Sequence, residues 1–209
     1  MSQQHLSILA GVLAAIGFMP YIWAMFRDRK LPPGTKNKVE PVRGTWFVWA
    51  VTETIMMYGM ISKGSLNFQI VAAVTFTWAI FVMAAFDGVL GNIMDGKPAW
   101  EKVDTYCLGG AIASILVWKF FDEPNFGIIA TNIVVFLGSY PTWESAWKNP
   151  GRESKWAWII WWVSSACAVI AIPQLTIGDA LQPWTFITVQ SIMLLIIFIR
   201  PWFLRLKRA

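Results

Sequence analysis

Glu53 is the residue of this 209-residue chain whose setting most needs a chemical explanation. It stands in Val51-Thr52-Glu53-Thr54-Ile55, with apolar turns on both sides, near the middle of a stretch long enough to cross a bilayer. An ionisable group at mid-bilayer costs at least about 2.5 kcal/mol on insertion scales, so it normally faces other helices and pairs, binds a cation or holds a proton. Three readings stay open: a proton-coupling or amine-binding site, a hydrogen-bonded structural carboxyl, or a group near enough to water to need neither. Trp49, Trp78, Trp161 and Trp162 lie inside apolar stretches rather than at their ends. An indole face stacks on a sugar ring, a nucleobase or a cation, with packing as the competing role. The i, i+3 spacing puts Trp46 and Trp49 on one helix face and Trp158 and Trp161 on another.

Asn132, Gln190, Thr75 and Thr77 are neutral polar groups at similar depth, suited to hydrogen-bonding between helices or to lining a pocket. Ser164 and Ser165 can instead bond back to their own helix. Pro20 and Pro141 each remove a backbone hydrogen bond and bend a helix, which makes them candidate hinges. The candidate ligand-contacting set is therefore Glu53, Trp49, Thr77, Trp78, Asn132, Trp161 and Gln190. Other chemistries lack their residues. One histidine, His5, and two cysteines in apolar runs, Cys107 and Cys167, build no zinc site, haem site or disulfide framework. No nucleophile elbow, Gly-rich phosphate loop, HExxH or CxxC occurs, so neither a cofactor nor an enzymatic activity is expected. Asp87, Asn92, Asp95, Glu101 and Asp104 gather near one loop without Asp-x-Asp-x-Asp spacing and read as solvated acids. No lysine lies between Trp184 and Ile199 to carry a retinal.

The elements that must position these residues follow from composition. Fully 56% of the chain is apolar, only 14% is charged against about 25% in soluble domains, and the mean hydropathy is +0.53. Fourteen Trp and fourteen Phe could not be hidden in a water-soluble core of this size without large sticky patches. An all-α, polytopic membrane protein is expected. Seven stretches reach the roughly 20 residues that a bilayer requires: Leu6 to Phe26, Thr45 to Ile61, Phe68 to Phe86, Asp104 to Phe121, Phe126 to Ala146, Trp156 to Ile172 and Trp184 to Phe203. The first lacks a positive n-region and is followed at once by Arg27, Arg29 and Lys30, so it reads as a retained helix. Alternate loops hold 15 of the 17 Lys and Arg, which sets the N-terminus outside and the C-terminus inside an inner or plasma membrane. The net charge of +5 is thereby explained by topology. No nucleic-acid partner is needed, and anionic lipid headgroups are the expected contact.

The chain also resembles itself. Gly17-x-x-Pro20 in the first span matches Gly138-x-x-Pro141 in the fifth at an offset of 121, and Trp46-x-x-Trp49 matches Trp158-x-x-Trp161 at an offset of 112. The second alignment sets Thr52 on Ser164 and Glu53 on Ser165. This predicts three helices (1–90), a linker helix with its loops (91–124) and three more helices (125–209), the halves running parallel about an axis along the membrane normal. The pattern resembles the SWEET and PQ-loop superfamily of 3+1+3 transporters in helix count, in orientation and in a proline on the first helix of each half. The residues following those prolines are Tyr21 and Thr142 rather than Gln, and the one literal Pro-Gln is Pro173-Gln174. The resemblance implies alternating access for a small polar solute between two three-helix bundles, proton-linked if Glu53 takes part. The rival expectation is a non-transporting membrane subunit or assembly factor that binds lipid, pigment or partner helices. Either a homo-oligomer or a larger membrane complex fits such a chain.

Overall fold

Val12, Ile16, Met19, Trp23 and Phe26 recur every three or four residues and are all exposed, while Ala10, Ala14, Gly17, Tyr21 and Ala24 on the opposite face are buried. Large apolar residues outward and small ones inward is the pattern of a helix that meets lipid on one side and neighbouring helices on the other. This is α1 (Gln3–Asp28), capped by Ser2, whose hydroxyl accepts from the His5 N–H. The computed structural model describes residues 2–31, 35, 38–95, 105, 109, 112–113, 116, 120 and 123–201, with 87–95 by their backbone alone, and no strand occurs among them.

α2 (Arg43–Ser62) ends where Gly64 takes φ 65°, the left-handed conformation that glycine adopts without a Cβ clash. There the Ser65 and Gly64 N–H groups reach back to the Met60 and Ile61 carbonyls, a Schellman stop. α3 (Phe68–Asp95) starts beside Asn67, whose side-chain oxygen accepts from the Ile70 N–H. α4 (Pro124–Gly138) begins on Pro124 with Glu123 as its cap. α5 (Tyr140–Lys148), α6 (Lys155–Ile170) and α7 (Ile177–Leu194) follow, the last running into a π-helical turn, Leu195–Ile199.

Four of these helical stretches are long and apolar enough to cross a membrane: α1, Phe68–Phe86 of α3, Pro124–Lys148 through α4 and α5, and Ile177–Ile199. α6 is apolar but shorter. α2 spans about 30 Å at 1.5 Å per residue, yet is more polar, and eleven of its twenty residues are buried, Thr45, Thr52 and Glu53 among them. A helix enclosed by other helices need not be as oily as one facing lipid. α1 packs on α3 and α6, α2 on α3 and α4, and α7 on α4 and α6, which closes a ring in the order α1, α3, α2, α4, α7, α6.

Two expectations meet a different geometry. The fifth span breaks at Ser139, so Pro141 lies in the first turn of α5, where a missing N–H costs nothing, whereas Pro20 is inside an unbroken α1. The seventh span begins at Ile177 rather than Trp184, with Pro183 inside it. Of the fourth span, Thr105, Gly109, Ile112, Ala113, Leu116 and Phe120 are helical and exposed. The rest of that linker, with Cys107, the side chains of Asp87, Asn92 and Asp95, the acids Glu101 and Asp104 and the basic tail after Pro201, lies outside the described residues.

The two ends of the ring differ chemically. One, the turn end, carries the N-terminus, the α2–α3 turn and the α6–α7 turn, tied by Gln3 Nε2 to the Ile172 carbonyl (3.2 Å) and by Lys63 to Glu123 (2.6 Å). The other, the basic end, carries the loops after α1 and α5, where Arg152 pairs with Glu40 at 2.9 Å.

Candidate functional site

All six long helices of the ring contribute to one central cavity of about 60 Å³. α1 supplies Ala14 and Phe18, α2 supplies Trp46, Trp49 and Glu53, and α3 supplies Gln69, Ala73 and Thr77. The other side is made by Val135 of α4, Trp158 and Trp161 of α6, and Phe186, Val189 and Gln190 of α7. Trp46, Trp49 and Glu53 share a face of α2 because they are spaced by three and four residues, and Gln69, Ala73 and Thr77 share a face of α3 by spacing of four. Glu53 is 5% exposed, Thr77 stands with it on the cavity wall, and Oε2 has no partner. Gln190 Oε1 is likewise buried and unpaired.

Four indoles close the chamber toward the basic end. Their ring centroids lie 5.2 Å apart for Trp46–Trp49, 6.4 Å for Trp49–Trp158, 5.2 Å for Trp158–Trp161 and 6.2 Å for Trp161–Trp46, mostly edge to face, the arrangement that the ring quadrupoles favour. Two of the indole N–H groups lock helices together: Trp161 donates to the Ala14 carbonyl and Trp49 to the Val135 carbonyl, each at 3.2 Å. Tyr21 packs beneath, 5.2 Å from Trp46 and 5.7 Å from Trp161. Deeper still lies Glu153, in the loop before α6, whose Oε2 accepts from the Trp158 N–H at 2.9 Å. Burial pushes the Glu153 carboxyl up to about 7, with the Trp158 N–H and Arg152 pulling the other way.

Toward the turn end the seal is polar. Asn67 Nδ2 donates to Gln182 Oε1 (2.8 Å), Gln182 Nε2 to Gln69 Oε1 (3.0 Å), and Gln69 Nε2 to the hydroxyls of Ser164 (2.9 Å) and Ser165 (2.8 Å). Ser164 in turn donates to the Ala10 carbonyl at 2.7 Å. Neither glutamine stands out in the sequence. Gln69 stands at the margin of its span, and Gln182 precedes the expected start of the seventh. The capping box Thr176-x-x-Asp179, in which Thr176 accepts from the Asp179 N–H, is the signal that would have extended that helix and found it.

Of the expected set, the cavity brings together Glu53, Trp49, Thr77, Trp161 and Gln190. Trp78 and Asn132 lie elsewhere. The Trp78 N–H donates to Thr54 at 3.0 Å between α2 and α3. Asn132 Nδ2 donates to the Ile128 carbonyl of its own helix at 2.8 Å, and its side chain borders a groove of about 350 Å³ between α4 and α7, with Phe136, Leu181, Trp184 and Thr188. Thr75 is exposed and bonds back to the Val71 carbonyl, and Trp162 is partly exposed with its N–H on Ser191. No group of three or more His, Cys, Asp or Glu side chains able to hold a metal ion occurs among the described residues. Comparison with family models, with curated proteins and with solved structures gives no match to this chain.

Proposed function

We propose that this chain is a membrane transporter of a small polar solute, working by alternating access between one bundle of three spans (α1, α2 and α3) and another (α4 continued by α5, α6 and α7), with Glu53 coupling movement to a proton. The observation that carries this reading is the chamber: a buried carboxyl with an unpaired oxygen, in a cavity shared by both bundles and sealed at each end by contacts that cross between them. A cavity of about 60 Å³ takes a few water molecules or one small polar group, while about 150 Å³ is needed for a benzene. In this reading the conformation is the occluded one of such a cycle, and a larger solute enters only when the bundles part.

Two further observations support a 3+1+3 arrangement. The ring order puts α3 between α1 and α2, puts α7 between α4 and α6, and joins the halves at α1–α6 and α2–α4, as a two-fold axis along the membrane normal requires. The two indole locks also correspond: Trp161 lies 112 residues after Trp49 and Val135 lies 121 after Ala14, the offsets that align WxxW and GxxP. The basic end faces the cytoplasm under the positive-inside rule, in a chain crossing an inner or plasma membrane seven times.

Uptake of a radiolabelled panel of small polar solutes into proteoliposomes tests the reading. Saturable uptake that falls at least ten-fold in Glu53→Gln is expected. Saturable uptake unchanged by that substitution removes Glu53 from the mechanism, and no uptake from a well-folded chain that purifies with other subunits favours a non-transporting membrane subunit.

A further inference from the structure

The chamber's free hydrogen-bonding groups are unevenly distributed, and that inequality specifies a ligand. Its unpaired buried acceptors are Glu53 Oε2 and Gln190 Oε1. Most of its donors are already committed: Trp49 to Val135, Trp161 to Ala14, Trp158 to Glu153, and Gln69 Nε2 to two serines. Only the Trp46 N–H remains unpaired among the four indoles. No Lys, Arg or His lines the cavity, so a charge on Glu53 would have no countercharge there. A buried carboxylate without a partner is costly, and a ligand that supplies both the positive charge and the missing N–H groups removes that cost.

We propose that the chamber binds a small ammonium group, either a protonated primary amine or the amine head of a larger solute, with Glu53 as counter-ion, Gln190 as second acceptor and the indole tetrad as its floor. This rests on the transporter reading and names its substrate class. A metal cation fits poorly. Hard cations take six or more oxygens, while the cavity offers Glu53, Gln190, Gln69 and Thr77 amid aromatic and aliphatic walls. An ammonium suits those walls, because indoles attract cations through their π faces, and Trp49 stands one helical turn from Glu53. An anionic solute would meet the carboxylate. A neutral solute rich in acceptors would find only the Trp46 N–H and the Gln190 Nε2 amide as free donors, and would leave a charge on Glu53 unpaired.

The test uses the full chain in lipid nanodiscs and radiolabelled methylammonium as probe, competed by ethylammonium, acetamide and acetate. Saturable binding is expected, displaced by ethylammonium at concentrations at least ten-fold below those needed for acetamide, with no displacement by acetate. Binding should fall at least ten-fold in Glu53→Gln. Wild-type chain that binds no methylammonium, or on which acetamide competes as well as ethylammonium, overturns the proposal without needing any variant. Uptake in proteoliposomes separates it from the reading beneath. Saturable transport of neutral solutes with no preference for amines leaves the transporter standing and sinks the ammonium site. Tight amine binding with no transport keeps the site and sinks the transporter.

Discussion

Gly17→Ala should destabilise the protein even though alanine is the better helix former. A Cβ built at Gly17 lies 2.5 Å from Cδ1 and 2.6 Å from Nε1 of Trp161, where carbon contacts ordinarily settle at about 3.5–4.0 Å. The indole must retreat by about 1 Å, and it has little room: Phe18 is 4.8 Å away between ring centroids, Trp158 5.2 Å and Tyr21 5.7 Å. Retreat also stretches its hydrogen bond to the Ala14 carbonyl, already 3.2 Å. Overpacking costs about 1–3 kcal/mol and the weakened bond about 1 kcal/mol, offset by about 1 kcal/mol of helix propensity. The net loss is about 1–3 kcal/mol, roughly 3–10 °C in Tm for a chain of this size. Thermal unfolding in detergent, read by near-UV circular dichroism, measures it. Gly138→Ala meets only Val48 Cγ1, at 2.9 Å, and should cost less. The decisive arm is the cycle with Trp161→Ala, which removes both clashing atoms. The double variant should be at least about 1 kcal/mol more stable than the sum of the singles predicts, as expected for residues in direct contact. Additive losses, or a Gly17→Ala protein more stable than wild type, would refute the close approach of α1 to Trp161.

Three other substitutions probe the surroundings of the chamber. The Glu153 carboxyl is raised from 4.5 to about 7, so the folded protein holds a proton that the unfolded chain has already released between those values. Its contribution is fully present below about 4.5 and is lost as pH rises through 7, by up to about 3 kcal/mol; Glu153→Gln should flatten that part of the Tm-against-pH curve, and parallel curves would contradict it. Gln182→Leu leaves Asn67 Nδ2 and Gln69 Oε1 without their mutual partner and should cost about 1–3 kcal/mol in denaturant titrations, where an unchanged midpoint would argue against the glutamine seal. Asn132→Leu removes an orphaned buried oxygen beside the lateral groove, so uptake should stay within two-fold of wild type and stability should hold; a ten-fold loss of uptake would place Asn132 in the chamber after all.

Much of the chamber was legible in the sequence because lipid leaves few reasons for a polar or aromatic group at depth. Glu53, Thr77 and Gln190 stood out against apolar turns, and the spacing of Trp49 and Trp161 put them on faces that converge. Depth alone does not give direction. Trp78 and Asn132 have the same spacing and burial signals, but their polar atoms end on Thr54 and on the Ile128 carbonyl, which only packing decides. The GxxP match was legible as a pattern and not as a mechanism, since one proline sits within a helix and the other restarts one. Pro183 stands just before Trp184, the expected start of the seventh span. It is tolerated inside α7, where the capping box at Thr176 starts the helix two turns earlier.

The two seals of the chamber are unlike doors. Parting the glutamine seal trades amide partners for water molecules of nearly equal strength, a change of about 1 kcal/mol per bond. Parting the tryptophan floor bares aromatic surface at about 25 cal/mol for every Å² wetted, and each indole and Tyr21 has a large face to wet. If the chain is the transporter proposed above, its amide door opens at lower cost than its oily one, and whatever holds the oily door open must stand in for the stacking it breaks.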